Sequence, residues 1–233
     1  DYMVVAGGCN FPEPGKKKYY SGIYAAKVGG NSDETPDWQL IGHLPEPAAY
    51  GGTVTSGDSL ILVGGCNNEQ KLRSVLSLHL DRESGKPVLK SLPSLPRSVD
   101  NMGVCLSDTR LFVVGGNQDG RPSAAVLSLE IGKDAAWKNV TSKKDAAKKL
   151  ASAWKHETEL IGEPRVQPVC AAYRGELYVW GGFYENGKSS LVATSGLCYH
   201  PESKSWTSLP APRNPQGDEL TLTGATAMLA VSP

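Results

Sequence analysis

Short apolar runs alternate with polar stretches along this chain, and four of the runs end in a pair of glycines. The second run, Ser59–Val63, is typical: it precedes Gly64 and Gly65 and then a polar loop. Runs of this kind with turn residues on both sides predict β-strands. A glycine pair after a strand permits positive φ and close approach of a neighbouring sheet. The first glycines of the four pairs, Gly7, Gly64, Gly115 and Gly181, are 57, 51 and 66 residues apart.

A repeat of roughly 50 residues with a double glycine after a buried strand is typical of kelch repeats, which form β-propellers. Alternation and turn residues divide the second unit into four strands, at residues 49–55, 59–63, 74–80 and 88–91. We therefore predict an all-β fold, a kelch-type β-propeller of four-stranded antiparallel blades, in a single domain over residues 1–233. The blades are expected at residues 1–42, 49–92, 100–160 and 168–209.

The ends of the chain leave two interpretations of the first blade. The chain starts on what should be the second strand of a blade, and residues 223–231 have the pattern of an inner strand with no second strand after it. Residues 223–231 either complete the first blade and close a four-bladed ring, or the domain is an incomplete part of a larger propeller. The sequence pattern is compatible with both.

One segment departs from the strand pattern. An amphipathic helix is predicted at residues 143–154 from four apolar residues at helical spacing with lysines opposite: Ala147, Leu150, Ala151 and Trp154. We interpret the helix as an insertion before the outer strand of the third blade. Trp154, rather than Trp137, is expected to be the aromatic residue of that strand.

Composition narrows the class of protein. The 24 basic and 24 acidic side chains give a formal net charge of zero, which argues against a nucleic-acid partner because such proteins need a basic surface. No apolar run reaches the roughly 18 residues of a membrane span. The five cysteines have no CxxC spacing and are interpreted as buried free thiols. The first residues do not have the basic-then-apolar pattern of a targeting segment, as expected equally of a mature form or of part of a longer chain, so this pattern does not indicate the location.

The histidines do not have the spacing of a metal site. They fall in predicted outer strands and turns, so we expect neither a zinc site nor the copper site of a kelch-type oxidase. The four are His43, His79, His156 and His200. The sequence also lacks the aspartate boxes of sialidase propellers, a Gly-x-Ser-x-Gly elbow and a phosphate-binding P-loop.

Polar residues converge on one face of the predicted propeller. In a four-stranded meander, the loop after the second strand and the loop leaving the fourth lie at the same end of the blade. Residues just before an inner strand then lie nearest the central channel. Their side chains suit a small, polar, anionic ligand. The residues predicted around the mouth of the channel are Tyr50, Asp100, Asn101, Arg165 and Gln167, with Asn10, Phe11 and Asn117 near the rim and Arg97 and Arg213 within reach.

Two loops are similar to those of a known family. Residues 6–12, which end in Asn-Phe-Pro, and residues 162–167, which end in Pro-Arg-Val-Gln, resemble the bacterial N-acetylneuraminate epimerase (sialic acid mutarotase) family of kelch proteins. Residues 16–24 and the strand and glycine pair at residues 176–182 add to the likeness. The resemblance covers most of the chain and is closest to the branch whose blade order is cyclically permuted.

That resemblance implies a six-bladed propeller and an isomerase that interconverts the α and β anomers of N-acetylneuraminate by ring opening and closure. It implies no cofactor, a small anionic sugar as ligand, and a periplasmic or otherwise extracytoplasmic location. The Glu and Arg proposed as the active pair of the family have no counterpart here, so the catalytic acid and base are unassigned. The substrate-binding residues, five by resemblance and the last two from their place at the mouth, are Arg165, Gln167, Asn10, Phe11, Tyr50, Asn101 and Asn117.

A second hypothesis comes from a different class of protein. Most kelch propellers bind partners and do no chemistry. The alternative is therefore a non-catalytic propeller that binds a protein partner or a glycan through the same loop face. Further Gly-Gly strands bearing a Glu and an Arg in the intact gene product would favour the isomerase over the binding module.

Overall fold

The computed structural model describes residues 2–28, 35–138 and 143–221, whose main strands form four antiparallel sheets in succession along the chain. Three of these sheets have four strands, and the first has three within the described residues. The predicted all-β fold of four-stranded antiparallel blades is confirmed. Residues 223–231, on which the choice between a closed ring and a larger propeller depends, lie outside the described residues.

The first two blades differ in how their second and third strands are joined. The first blade contains β1 Tyr2–Ala6, β2 Cys9–Glu13, β3 Lys16–Tyr19, β4 Gly22–Lys27 and β5 Gln39–His43. Its sheet has the order β1-β4-β5, and β2 pairs with β3 in a separate hairpin. The second blade is the plain meander β6 Gly52–Ser56, β7 Ser59–Val63, β8 Val75–Leu80 and β9 Pro87–Ser91.

The third and fourth blades repeat the arrangement with an inserted hairpin. The third contains β10 Gly103–Ser107, β11 Arg110–Val114, the hairpin β12 Asn117–Gln118 and β13 Arg121–Pro122, β14 Val126–Glu130 and β15 Lys155–His156. Between β14 and β15 lie a 3₁₀ turn at Ala136–Lys138 and helix α1 at Lys143–Ala151. The fourth contains β16 Val169–Tyr173, β17 Glu176–Trp180, the hairpin β18 Phe183–Asn186 and β19 Ser189–Val192, β20 Gly196–His200 and β21 Ser205–Leu209.

The helical insertion of the third blade is present, but α1 is shorter than predicted. It ends at Ala151 rather than at Trp154. Trp154 is buried between the second and third blades, and its indole Nε1 donates a hydrogen bond to the carbonyl of Pro93 at 2.8 Å. Because the indole has to face the second blade, the chain leaves the helix before this residue. Trp154 is thus the aromatic residue that precedes the outer strand, as expected.

The glycine pairs connect each blade to the next. The N–H of the first glycine donates to a backbone carbonyl of its own blade at 2.8–2.9 Å: from Gly7 to Gly22, from Gly64 to Ser74 and from Gly115 to Ala125. The second N–H donates at 2.7–2.9 Å to a carbonyl in the loop that enters the next blade, from Gly8 to Ala48, from Gly65 to Val99 and from Gly116 to Arg165. The same bond therefore repeats at three successive junctions.

At Gly65 and Gly116, the second glycines of two pairs, glycine is required for steric as well as conformational reasons, whereas a Cβ on Gly8 would meet no atom within 4 Å. Gly116 has a φ of +90°, and a Cβ built on it would lie 2.6 Å from a Val99 methyl carbon and 2.8 Å from the carbonyl oxygen of Asp100. Real Cβ atoms do not approach other atoms so closely, so the loop would have to move away. The first glycine of these pairs faces the next blade instead: a Cβ on Gly7, Gly64 or Gly115 would lie 2.3–2.6 Å from the carbonyl oxygen of Ala48, Val99 or Arg165. At these first positions the glycine repeat seen in the sequence is therefore a packing requirement between blades.

The apolar core lies between the blades. Each of three clusters joins residues of neighbouring sheets, such as Ile23 with Leu78, Ile61 with Leu111, and Phe112 with Leu177. These side chains are almost completely buried, and each contributes about 1.5–3 kcal/mol relative to exposure to water. The Trp206 indole in β21 donates to the carbonyl of Thr158 at 3.0 Å and so repeats the link that Trp154 makes to the preceding blade.

A buried carboxylate joins the third blade to the fourth. Glu157 accepts hydrogen bonds from the Ser128 hydroxyl at 2.6 Å and the Tyr199 hydroxyl at 2.9 Å, and it pairs with Arg110. Burial raises the pKa of the Glu157 carboxyl, but the hydrogen bonds from Ser128 and Tyr199 and the charge of Arg110 outweigh burial. The net pKa is therefore lowered, and the folded state favours the ionised form.

The cysteines are free thiols, as the sequence analysis expected, but Cys9, Cys66 and Cys170 are partly exposed and not fully buried. Cys105 and Cys198 are buried, and burial raises the pKa of the Cys105 thiol to about 12. Such thiols remain protonated at neutral pH. Within the described part of the chain, neither the length nor the hydropathy of any helix is sufficient for a membrane crossing.

We predict that Gly116→Ala destabilises the full-length protein much more than Gly120→Ala. Both glycines have similar φ, +90° and +85°, but a Cβ at Gly120 meets no atom within 4 Å. The Gly120 variant should cost about 1 kcal/mol from backbone strain, and the Gly116 variant about 2–4 kcal/mol because overpacking adds to that strain. Urea unfolding measures both, and equal losses would contradict the proposed role of the junction.

We predict that the contribution of Glu157 to stability is lost in acid. Because its folded-state pKa lies below the unfolded value of about 4.3, the contribution is present above that pH and disappears as the pH falls through the folded pKa. Glu157→Gln should cost about 1–3 kcal/mol at pH 7, and the difference from the wild type should shrink towards pH 3. Unfolding curves at several pH values test this, with Glu159→Gln, an exposed site, as the control. A difference that is independent of pH would contradict it.

Candidate functional site

Three residues at equivalent places in successive blades form a continuous row. Tyr50, Asn101 and Gln167 each precede an inner strand, and all three have positive φ, between +53° and +58°. The Asn101 N–H donates to the carbonyl of Tyr50 at 2.8 Å, and the Gln167 N–H donates to the carbonyl of Asn101 at 2.6 Å. The inner strand β10 packs between β6 and β16. This row, here called the mouth row, therefore lies at the loop end of three neighbouring inner strands, where the sequence analysis placed the mouth of the channel.

The positive φ of the mouth row follows from the glycine junctions. In each blade the carbonyl that accepts the second glycine N–H lies two residues before the mouth-row residue: Ala48 before Tyr50, Val99 before Asn101, and Arg165 before Gln167. The chain is thus anchored to the preceding blade and has to turn sharply before it enters its own inner strand. A left-handed residue makes that turn.

Side chains of the mouth row form a polar network. Gln167 Nε2 donates to Asn101 Oδ1 at 2.9 Å, and Asn101 Nδ2 donates to Asp100 Oδ1 at 2.7 Å. Asp100 is buried, and its other carboxylate oxygen pairs with Lys71 Nζ at 3.0 Å. The charge of Asp100 is therefore compensated within the site.

Asn117 brings an unused acceptor to the same network. Its backbone N–H donates to the carbonyl of Asp100 at 2.7 Å, and its own carbonyl accepts from Lys71 Nζ at 3.2 Å. Its side-chain Oδ1 is buried and has no hydrogen-bond partner among the described residues. A buried acceptor without a partner costs about 1–3 kcal/mol, so a hydroxyl or N–H donor that reached this atom would be bound favourably.

A lysine surrounded by aromatic rings lies beside Tyr50. Lys17 Nζ is 4.3 Å from the ring centroid of Tyr50, 5.3 Å from that of Tyr19 and 5.6 Å from that of Phe11. Lys17 and Tyr19 are two residues apart on β3 and share a face, and the β2–β3 hairpin carries Phe11 next to them. We call Phe11, Tyr19 and Tyr50 the aromatic cluster.

The charge of Lys17 is available to a ligand. A hydrogen bond with Tyr50 is the main cause that raises the pKa of the Lys17 ammonium, so it is protonated over the whole physiological range. Of the ion pairs formed by the described residues, those of Lys16, Lys71 and Lys149 include a lysine, and none includes Lys17. Lys17 is therefore a cation next to the mouth row with no carboxylate partner in the described part of the chain.

Arg165 has a different environment from the other predicted site residues. It is 3% exposed, and its guanidinium donates to the Gly181 carbonyl at 3.3 Å, the Ser195 carbonyl at 3.1 Å and the Ser195 hydroxyl at 3.0 Å. Burial lowers the pKa of the Arg165 guanidinium. Its Nε is the one guanidinium nitrogen without a hydrogen-bond partner among the described residues. The side chain lines a cavity of about 320 Å³ at the edge of the fourth blade, with Tyr184 and Ser208.

The structure thus brings together most of the residues predicted from sequence, in two neighbouring groups. Asn101, Asn117 and Gln167 belong to the polar network, and Phe11 and Tyr50 belong to the aromatic cluster. Asn10 lies on the same hairpin as Phe11, where its Oδ1 accepts a hydrogen bond from the Tyr20 hydroxyl at 2.9 Å. The assignment of all seven as substrate-binding residues, Arg165 included, stays a prediction.

Sequence reasoning did not single out Lys17, Tyr19 or Lys71. Lys17 and Tyr19 belong to a basic run that marked the family resemblance but was not assigned to the site. The signal that was available is their spacing of two, which places both on one face once the run is recognised as a strand. Lys71 gave no such signal, because its pairing with Asp100 depends on the junction between the second and third blades.

The site has the properties of a binding surface for a small polar anion with an apolar face. Lys17 supplies positive charge, the mouth row and Asn117 supply amide donors and acceptors, and the aromatic cluster supplies flat apolar surfaces. A separate cavity of about 320 Å³ opens between the first two blades beneath Tyr50. Its walls are mostly apolar, with Leu44, Leu62 and Leu76 among them, so it suits the polar ligand less well than the mouth row does.

The repeated junctions and the antiparallel blades define the chain as a kelch-type β-propeller protein. The model of the Kelch motif matches residues 164–213. A solved structure titled "Structure of YjhT" matches 94% of this chain and 69% of that chain with a TM-score of 0.66 and 13% sequence identity. At that level of identity the match shows the fold.

Curated relatives supply the resemblance to a particular enzyme. An N-acetylneuraminate epimerase of Haemophilus influenzae (strain PittEE) is 38% identical over 68 residues, which cover 29% of this chain and 18% of that protein. One of Salmonella arizonae is 37% identical over 84 residues, which cover 32% of this chain and 22% of that protein. The matches cover about a fifth of the length of these relatives. The resemblance expected from the sequence is confirmed over about 30% of this chain, and not over most of it as expected.

We predict that Arg165→Ala lowers the free energy of unfolding by about 2–4 kcal/mol, because hydrogen bonds from a buried charged group to the fourth blade are lost. Urea unfolding of the full-length protein measures the change, and Arg121→Ala, at an exposed position, is the control. Unchanged unfolding together with weaker binding of N-acetylneuraminate would instead place the Arg165 guanidinium in the sugar site.

Proposed function

We propose that the intact protein is an N-acetylneuraminate mutarotase that binds its sugar over the mouth row and the aromatic cluster. Three lines support the proposal: the kelch-type propeller fold, the partial identity to proteins named N-acetylneuraminate epimerase, and the chemistry of the site. The observation that carries it furthest is Lys17, a protonated amine held over three aromatic rings with no carboxylate partner among the described residues.

The sugar has three kinds of group that match this surface. Its carboxylate would pair with Lys17, and its hydroxyl and amide groups would bond to Asn101, Gln167 and the free Oδ1 of Asn117. Its C–H face would pack on Phe11 or Tyr50. Both rings are substantially exposed, at 62% and 38%, so neither has to move for the sugar to reach it.

The reaction requires a proton transfer at each end of one bond. Removal of the proton from the anomeric hydroxyl lets the bond between the anomeric carbon and the ring oxygen break, and the ring oxygen takes up a proton. The resulting open-chain keto acid recloses on the other face of its carbonyl to give the other anomer, so atoms and charge balance with no cofactor. Lys17 would hold the carboxylate while the rest of the open chain rotates about the bond between the carbonyl carbon and the next carbon of the sugar chain. No described residue is assigned here as the acid or the base.

The activity can be measured from the anomeric signals of freshly released α-N-acetylneuraminate by NMR. We expect the full-length protein to accelerate the approach to the equilibrium mixture of anomers. Binding of the sugar without acceleration would favour the alternative function, a non-catalytic propeller that binds a glycan. The extracytoplasmic location implied by the resemblance is likewise a proposal, which fractionation of cells would test.

We predict that Lys17→Met weakens binding of N-acetylneuraminate at least about 10-fold, because the pairing of a carboxylate with a charged amine is lost. Lys16→Met is the matched control, since Lys16 is the preceding lysine on β3 and pairs with Glu13 at 2.6 Å. Titration calorimetry measures both variants. A normal melting temperature with unchanged affinity in the Lys17 variant would remove Lys17 from the site.

A further inference from the structure

Three side chains with metal-binding groups meet on the fourth blade, away from the mouth row. They are Glu176 on β17 and Cys198 and His200 on β20, and one ligand atom from each lies within 4.8 Å of the others. His200 Nδ1 is 2.7 Å from Glu176 Oε1, and Cys198 Sγ is 3.6 Å from Glu176 Oε2. Among the described residues, no other group of three or more His, Cys, Asp or Glu side chains lies close enough together to hold a metal ion.

The strand register explains the meeting. β17 and β20 are antiparallel, with Tyr178 opposite Cys198 and Leu177 opposite Tyr199. Leu177 and Tyr199 are fully buried in the core shared with the third blade. Because side chains alternate along a strand, Glu176, Cys198 and His200 all lie on the other face of the sheet. Residues that are 22 and 24 positions apart in sequence thus become neighbours.

We propose that Glu176, Cys198 and His200 bind a divalent transition-metal ion of the zinc type. A thiolate, an imidazole and a carboxylate are the ligands that Zn²⁺ prefers in proteins, whereas Mg²⁺ and Ca²⁺ prefer oxygen alone. The ion would occupy the space between the three groups and join the second and third strands of the blade. This inference does not depend on the proposed sugar chemistry.

The distances fit such an ion after a small adjustment. Metal–ligand bonds of about 2.0–2.3 Å in a tetrahedral arrangement place ligand atoms about 3.3–3.7 Å apart. Cys198 Sγ already has this separation from Glu176 Oε2, whereas His200 Nδ1 contacts the other carboxylate oxygen, Oε1. The carboxylate would therefore bind the ion through both oxygens or turn to present one of them. The closer contact between Glu176 and His200 has the length of a hydrogen bond with a proton between the two atoms. The ion would take the place of the proton at Nδ1 and of the thiol proton, the imidazole would keep its proton on Nε2 and donate a hydrogen bond from there to the Thr207 hydroxyl, and Glu176 and His200 would move apart.

Neighbouring groups hold the ligands in orientation. His200 Nε2 is hydrogen-bonded to the Thr207 hydroxyl at 2.9 Å, which leaves Nδ1 directed at the cluster. The Tyr178 hydroxyl donates to Glu176 Oε2 at 3.0 Å. Hydrogen bonds of this kind to the far side of metal ligands are typical of metal sites. Glu176 and His200 are each about one-third exposed, so an ion can enter from solvent and water can complete its coordination.

The sequence predicted no metal site, because ligand spacing along the chain was the criterion. That criterion recognises pairs on one turn or one loop, such as CxxC. It does not detect ligands from separate strands, since their proximity depends on the register between β17 and β20. His43, His79 and His156 do not belong to the cluster.

Metal titration of the full-length protein tests the proposal. We expect one Co²⁺ ion per chain, with the near-ultraviolet charge-transfer absorption of a cobalt–thiolate bond, and displacement of Co²⁺ by Zn²⁺. Cys198→Ser should abolish the absorption, and His200→Gln should weaken binding at least about 100-fold, since loss of a ligand exceeds the 10–100-fold cost of losing an orienting partner. Thr207→Val should weaken binding about 10-fold.

Cys66→Ser and His156→Gln are the matched controls, because neither residue belongs to the cluster, and both should leave the absorption and the affinity unchanged. Absence of the thiolate band in the wild-type protein would overturn the proposal. A band that survives in Cys198→Ser but is lost in Cys66→Ser would also overturn it. If Cys198→Ser fails to fold, His200→Gln and Thr207→Val still decide the question through Co²⁺ affinity.

Discussion

The hydrogen bond from the second glycine of each pair to the loop of the next blade is the constraint on which the rest of this structure depends. It repeats from Gly8, Gly65 and Gly116 and fixes where each new blade begins. The apolar clusters between blades and the indole links from Trp154 and Trp206 then follow the spacing set by these bonds. The first glycine of these pairs faces the same loop, since a Cβ on Gly7, Gly64 or Gly115 would lie 2.3–2.6 Å from the carbonyl oxygen of Ala48, Val99 or Arg165.

The candidate site is a consequence of the same bonds. The carbonyl that accepts each glycine N–H lies two residues before Tyr50, Asn101 or Gln167, so the chain turns in the left-handed region at all three places. Their backbones then bond to one another in a row. A polar surface at the loop end of the inner strands thus arises from the way in which blades are joined, and the side chains at three positions give it its chemical character.

Buried charges are compensated where blades meet, whereas the exposed site contains one positive charge without a carboxylate partner among the described residues. Asp100 pairs with Lys71, and Glu157 pairs with Arg110 and accepts two hydroxyl hydrogen bonds. The Arg165 guanidinium donates hydrogen bonds to backbone carbonyls of the fourth blade. Lys17, held over aromatic rings on a hairpin, is therefore the cation that we assign to an anionic ligand.

The sequence by itself determined the strands, the kelch-type blades, the helical insertion, the role of Trp154 and the place of Asn101 and Gln167, because these depend on periodicity and on glycine chemistry that repeat locally. The tertiary structure alone decided the buried position of Arg165, the placement of Lys17 over Tyr50, and the meeting of Glu176 with Cys198 and His200. Each of those depends on register between strands or on contacts between blades. Neither is encoded in the spacing of residues along the chain.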